Sequence, residues 1–135
     1  MRLDFDLSKP IYQQIIDEFR RQVARGRLAP GDRIPSQREL AQQARVNPNT
    51  VQRAYREMEQ MGLTETLRGQ GSFIRNDPSL VVRIREEMAR EALRSFVLEM
   101  RSLGFTDDEV MRLTAEALHN TELREEETDD AEGGI

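Results

Sequence analysis

The sequence predicts a mostly α-helical fold with one small β-hairpin, on three observations. Apolar residues recur at helical spacing through most of the chain. The spacing switches to strand alternation once, in LTETLRGQGSFIR from Leu63 to Arg75. A short helical stretch, a tight turn and a second helical stretch follow one another in RELAQQARVNPNTVQRAYREME. Together these give an N-terminal winged helix-turn-helix domain over residues 1–77. A two-helix C-terminal segment follows over 78–120, then an acidic, disordered tail over 121–135.

Size and composition bound the rest. At 135 residues, with 37% hydrophobic and 33% charged residues, the chain has room for one small domain and an appendage. Mean hydropathy is −0.71 and no apolar run reaches membrane-spanning length. The N-terminus MRLDFDLSKP lacks the apolar core of a signal peptide, so a cytoplasmic protein is expected, with no membrane partner. With 0 cysteines there is no disulfide, thiolate metal site or thiol nucleophile. Net charge is −5, but it is unevenly placed: residues 1–77 sum to +3, 78–120 to −2 and the tail to −6. The field near the first segment can therefore be positive. Lys9 is the only lysine among 20 basic residues, and arginine favours bidentate contacts to phosphate and guanine.

The elements follow in order. Ser8-Lys9-Pro10 opens the first helix, with Ser8 as its N-cap. Ile11, Ile15, Phe19 and Val23 form its apolar stripe, and Gly26 ends it. LAPGDRIP is a turn-rich connector. Ser36-Gln37-Arg38-Glu39 has capping-box spacing and starts a short second helix to about Gln43. Asn47 caps a third helix, with Pro48 at its first position and Gly62 just past its end. The hairpin turns on Gly69 and Gly71. Asp77-Pro78 starts a helix rich in aliphatics from Leu80 to Leu103, and Gly104 interrupts it. Thr106-Asp107-Asp108-Glu109 is a second capping box, opening a last helix to about Asn120.

The third helix carries the chemistry. Val51, Ala54, Tyr55 and Met58 fall on one face and are expected to pack on Leu40, Ala41, Ala44 and Val46. The opposite face holds Asn49, Gln52, Arg53 and Arg56, with Thr50 beside it and Asn47 at the helix start. Asn and Gln can bond adenine N6 and N7 together, and Arg can bond guanine O6 and N7. A helix start also favours phosphate. The segment therefore reads as a recognition helix entering a major groove. A polar face alone is ordinary for an exposed helix. The neighbours shift the balance: a helix-turn-helix before it, a wing after it, and Ser36 with Arg38 at a second helix start where backbone phosphate could be met.

The stretch IYQQIIDEFRRQVARGRLAPGDRIPSQRELAQQARVNPNTVQRAYREMEQMGLTETLRGQGSFI resembles the winged helix-turn-helix domain of the GntR family of bacterial transcription regulators. The resemblance covers about residues 8–75. VNPNTVQRAY and the brief helical C-terminal segment look most like the YtrA subfamily. The resemblance implies double-stranded DNA as partner. Arg38 would meet phosphate, Asn47, Asn49, Thr50, Gln52 and Arg53 would lie at the major groove, and Arg68, Gly69, Gln70 and Gly71 would form a wing tip at the minor groove. Pro48 departs from the arginine many members carry there, so another subfamily's operator does not transfer. Asn49 and Gln52 point to A·T-bearing positions instead.

Leu80, Val81, Ile84, Met88, Leu93, Phe96, Val97, Met100 and Leu103 are too apolar for a lone exposed helix pair. They must pack on the N-terminal domain, on a second copy, or on both. A twofold homodimer is the economical solution, and the resemblance implies dimerisation through Leu80, Ile84, Met88, Leu93, Phe96, Val97 and Met100. About forty residues are too few to enclose an effector pocket in one chain. Any small-molecule effector would need a cleft between subunits or domains.

Other readings find less support. Tyr55 as a base-stacking ring loses to core packing. GQG without a following helix and lysine is a hairpin turn rather than a phosphate loop. His119 is the single histidine, at a helix end, and Asp107, Asp108 and Glu109 are explained by capping, so no metal or catalytic set is expected. The pyridoxal-phosphate members of the family are far longer, and no cofactor is expected. The expectation is a sequence-specific, homodimeric DNA-binding repressor on a palindromic operator. The alternative is a winged-helix protein-interaction module without an operator.

Overall fold

The computed structural model describes residues 3–133, with side-chain surroundings for 3–121. The chain divides into two compact units, residues 1–89 and 90–135. The first unit extends past the expected boundary at 77, for a reason visible in its core.

Helix α1 (Ile11–Ala24) buries Ile15, Ile16, Phe19 and Val23, so the predicted stripe holds except at Ile11, which is exposed. Its N-cap is Pro10 and not Ser8; no side chain caps it. Ser8 is engaged elsewhere, its amide donating to Asp6 Oδ1 at 2.9 Å. Gln14 clasps the approach to the helix instead. It accepts from the Asp6 amide at 2.7 Å and donates to the Lys9 carbonyl at 2.8 Å.

The connector contains a strand that its turn residues concealed. β1 (Arg33–Ile34) pairs antiparallel with the second hairpin strand. The hairpin is β2 (Thr64–Leu67) and β3 (Gly71–Ile74), and the sheet order is β1-β3-β2. Ile34 faces the core while Arg33 faces outward, as strand alternation requires.

Helix α2 (Gln37–Ala44) starts at the predicted cap, where Ser36 Oγ accepts from the Glu39 amide at 3.1 Å. Helix α3 (Pro48–Gln60) starts at Asn47, whose Oδ1 accepts from the Asn49 amide at 2.8 Å. The turn between them passes through Arg45 at φ 54, the one positive-φ non-glycine residue described. The Val46 amide closes it onto the Ala41 carbonyl at 3.1 Å. At the other end of α3, Gly62 adopts φ 75, and the Leu63 amide reaches the Met58 carbonyl at 2.9 Å. A side chain at Gly62 would meet the Arg75 guanidinium at 3.3 Å, so glycine serves both backbone and packing.

The predicted α3 face is the centre of the core. Val51, Ala54, Tyr55 and Met58 are buried with Leu40 and Ala41, and Ala44 and Val46 are partly buried against them. Tyr55 packs edge-on to Phe19 with centroids 6.0 Å apart, and its hydroxyl donates to the Pro35 carbonyl at 2.5 Å. Such an aromatic pair adds about 0.5–1.5 kcal/mol beyond burial. Burial pushes the Tyr55 hydroxyl above its ordinary pKa, and the charge of Glu39 adds to this. The wing is tied to α3 by Thr66, whose Oγ1 bonds Glu59 Oε1.

Helix α4 (Leu80–Ser102) starts where Asp77 Oδ1 accepts from the Ser79 amide at 2.9 Å. Leu80 and Ile84 are fully and almost fully buried in the first unit's core, and Met88 packs against it. Leu80 and Ile84, expected at a dimer surface, are thus engaged in the core of their own unit, while Met88 is only partly buried. This packing carries the first unit to residue 89. Glu87 extends the contact with an ion pair to Arg20 at 3.9 Å.

Helix α5 (Asp107–Gly133) opens at the predicted capping box. Thr106 Oγ1 accepts from the Glu109 amide at 3.2 Å, and Glu109 Oε1 accepts from the Thr106 amide at 3.1 Å. Those bonds hold the Glu109 carboxyl below its ordinary pKa. The helix passes the expected end at Asn120 and runs to Gly133. Low apolar content argued against a packed core there. It did not argue against a helix, since Glu, Leu, Arg and Ala are strong helix formers. Gly134 and Ile135 lie outside the described residues.

Candidate nucleic-acid interface

Two adjoining concavities receive most of the predicted site residues. The first is an open groove between α2 and the start of α3, lined by Gln37, Arg38, Ala41, Gln42, Val46, Pro48, Asn49 and Gln52. Arg38, Asn49 and Gln52 therefore line one space, from two helices. The second is a cleft between the start of α2 and the wing. Arg33, Ser36, Arg38, Arg68, Gly69, Gln70 and Gly71 line it together with Gln37, Thr66, Leu67 and Ser72. Arg38 lines both.

Local structure explains the placement. Asn47 and Pro48 start α3 so that its first turn is exposed, while Val51 and Ala54 one turn on hold it to the core. Asn49 and Gln52 are three apart and so share a face. At the wing tip the Gln70 amide donates to the Leu67 carbonyl at 2.9 Å, which presents Arg68 and Gly69 outward.

Some predicted residues are committed otherwise. Asn47 spends its side-chain carbonyl on the α3 cap, and Ser36 spends its hydroxyl on the α2 cap. Thr50 is half-buried. Asn47, Thr50 and Arg53 line neither concavity. The Arg53 guanidinium lies over the Tyr12 ring of α1, 3.7 Å from its centroid, and its Nε is 3.4 Å from Glu57 Oε1. In this conformation Arg53 clasps α1 to α3.

Arg33 is the residue that sequence reasoning missed. Among the described residues it has no ion pair or hydrogen bond, and it lies against the wing. The signal was the alternation of Arg33 with Ile34, too short to read as a strand without its partner β3.

In the second unit no described residue is buried. Leu93, Phe96 and Met100 of α4 form an apolar groove with Leu113, Ala117 and Leu118 of α5. Leu93 is 60% and Leu118 68% exposed. Val97, half-buried, does not line this groove. Among the described residues there is no cluster of metal-binding side chains, and no helix is long and apolar enough to cross a membrane.

A helix-turn-helix with a three-stranded wing and an exposed polar recognition face defines a DNA-binding protein of the winged-helix class. The pattern described as bacterial regulatory proteins, gntR family, matches residues 11–74. The HTH-type transcriptional regulator YhcF of Bacillus subtilis is 48% identical over 107 residues, covering 79% of this chain and 88% of that protein. The HTH-type transcriptional repressor YtrA of Bacillus subtilis is 39% identical over 105 residues, covering 77% and 81%. A GntR family transcriptional regulator from Listeria monocytogenes superposes with TM-score 0.76 at 34% identity, covering 83% of this chain and 98% of that one. The chain belongs to the gntR family of DNA-binding transcriptional regulators, and its relatives place it with the YtrA-like members. These are regulators, not enzymes.

Proposed function

We propose that the chain is a homodimeric repressor that binds a palindromic operator through α3. The carrying observation is the groove that gathers Arg38, Asn49 and Gln52 from two helices onto one exposed surface. Asn49 and Gln52 read base edges, with a preference for A·T-bearing positions. Arg38 meets backbone phosphate, and Arg68 with Gly69 and Gln70 approaches the minor groove. Dimerisation uses Leu93, Phe96 and Met100 with the facing residues of α5. The second unit has no buried described residue, so its apolar groove needs a partner surface, and a second copy supplies an identical one. Repression, by covering a promoter, follows the name of the Bacillus subtilis relative YtrA. An effector, where one acts, binds in a cleft formed by the dimer.

The test is fluorescence anisotropy on the duplex upstream of the protein's own gene, against a shuffled duplex, across a salt series. A sequence-specific regulator binds the first tighter by about a thousandfold or more, at one dimer per site. No binding to either duplex at low salt overturns the proposal.

A further inference from the structure

We propose that Arg33 is a further DNA-backbone contact, a phosphodiester-binding residue that joins the wing to the start of α2. The inference rests on the reading that α3 and the wing meet DNA. Three observations carry it.

The first is orientation. Arg33 pairs with Phe73 across β1 and β3, and its side chain projects from the outer face because Ile34 beside it faces the core. Gly71 is the diagonal neighbour, within reach of a long side chain. A Cβ built at Gly71 would lie 3.3 Å from Arg33 Nε, 3.4 Å from Nη2 and 3.6 Å from Cζ. The guanidinium therefore lies close against Gly71, with Nε and Nη2 nearer than Cζ.

The second is the lack of a partner. Among the described residues no carboxylate or carbonyl accepts from Arg33. A guanidinium held by a surface that accepts no hydrogen bond keeps its donors available for a bidentate acceptor such as phosphate. The third is company. Arg38 and Arg68 line the same cleft, from α2 and the wing tip, so three guanidinium groups from three elements surround one concavity. A phosphate group passing between α2 and the wing would relieve their mutual repulsion.

Binding to the operator and to a random duplex is measured across a salt series for the wild type, Arg33→Ala, Arg33→Gln and Arg33→Lys. Thermal melts verify the fold of each, and Arg33→Gln keeps the stem over Gly71 if Arg33→Ala loosens the wing. Arg33→Gln is expected to weaken binding to both duplexes alike, by roughly 5–10-fold, and to lower the salt slope by about one. Arg33→Lys is expected to restore the slope. An unchanged salt slope in a folded Arg33→Gln variant overturns the proposal and leaves Arg33 a brace for the wing. A wild type that binds neither duplex removes the DNA reading itself, which is a different result.

Discussion

Leu80→Ala is the perturbation that most directly probes the first unit's boundary. Leu80 is fully buried although it is the first residue of a helix, and Ile84 lies one turn on at 2% exposure. Truncation of a fully buried leucine costs about 2–5 kcal/mol, the spread reflecting how far the site collapses. Leu80 belongs to the core cluster that also holds Phe19, Met58 and Leu63, each without exposed surface. We expect about 3 kcal/mol, near the middle of that range. For a unit of this size each kcal/mol lowers Tm by roughly 4–8 °C, so the expected fall is about 12–24 °C. Val82→Ala is the control, because Val82 sits in the same helix at 60% exposure. It should stay within about 0.5 kcal/mol of wild type. Urea denaturation followed by circular dichroism measures both, with sedimentation velocity run beside it. Equal costs for the two variants would refute the placement of Leu80 in the core. So would loss of the proposed dimer by Leu80→Ala with the unfolding midpoint unchanged.

Tyr55→Phe leaves the Pro35 carbonyl without its donor and should cost about 1–3 kcal/mol in urea denaturation. The native hydroxyl holds its proton more tightly than an unfolded tyrosine, because burial and the charge of Glu39 disfavour the phenolate. Stability is therefore full below the ordinary tyrosine pKa of about 10 and falls as pH rises above it. Tyr55→Phe should lack the part of that fall due to this residue, as paired melts at neutral and alkaline pH would show. Ser36→Ala removes the α2 cap and should cost about 1 kcal/mol in the same denaturation assay. Phe96→Asp combined with Leu118→Asp should convert the proposed dimer to a monomer in sedimentation velocity while leaving the melt of the first unit in place.

Much of the fold was legible because helix starts leave local marks. Ser36, Asn47 and Thr106 cap helices, and Asp77 holds the residue before one, all through bonds to residues two or three positions on, so their roles are written within a few residues. The α3 core face was legible for a similar reason, since Val51, Ala54, Tyr55 and Met58 follow a single period. What escaped depends on distant partners. β1 is two residues long and is a strand only because β3 lies beside it. The apolar run in α4 announced burial without saying against what. Its start belongs to the first unit's core, while Leu93, Phe96, Leu98 and Leu103 further on are exposed. Arg53 looked like a base reader by spacing, and only the position of Tyr12 on another helix shows what holds it.

The central claim is that the exposed start of α3 reads bases while the arginines around it hold the backbone. The measurement that tests it most directly is the affinity of Asn49→Ala and Gln52→Ala for operator and random duplexes at fixed salt. The account predicts a loss of about 1–3 kcal/mol on the operator for each variant, with random-duplex binding and the salt slope unchanged. Equal losses on both duplexes would contradict it and make these side chains backbone contacts.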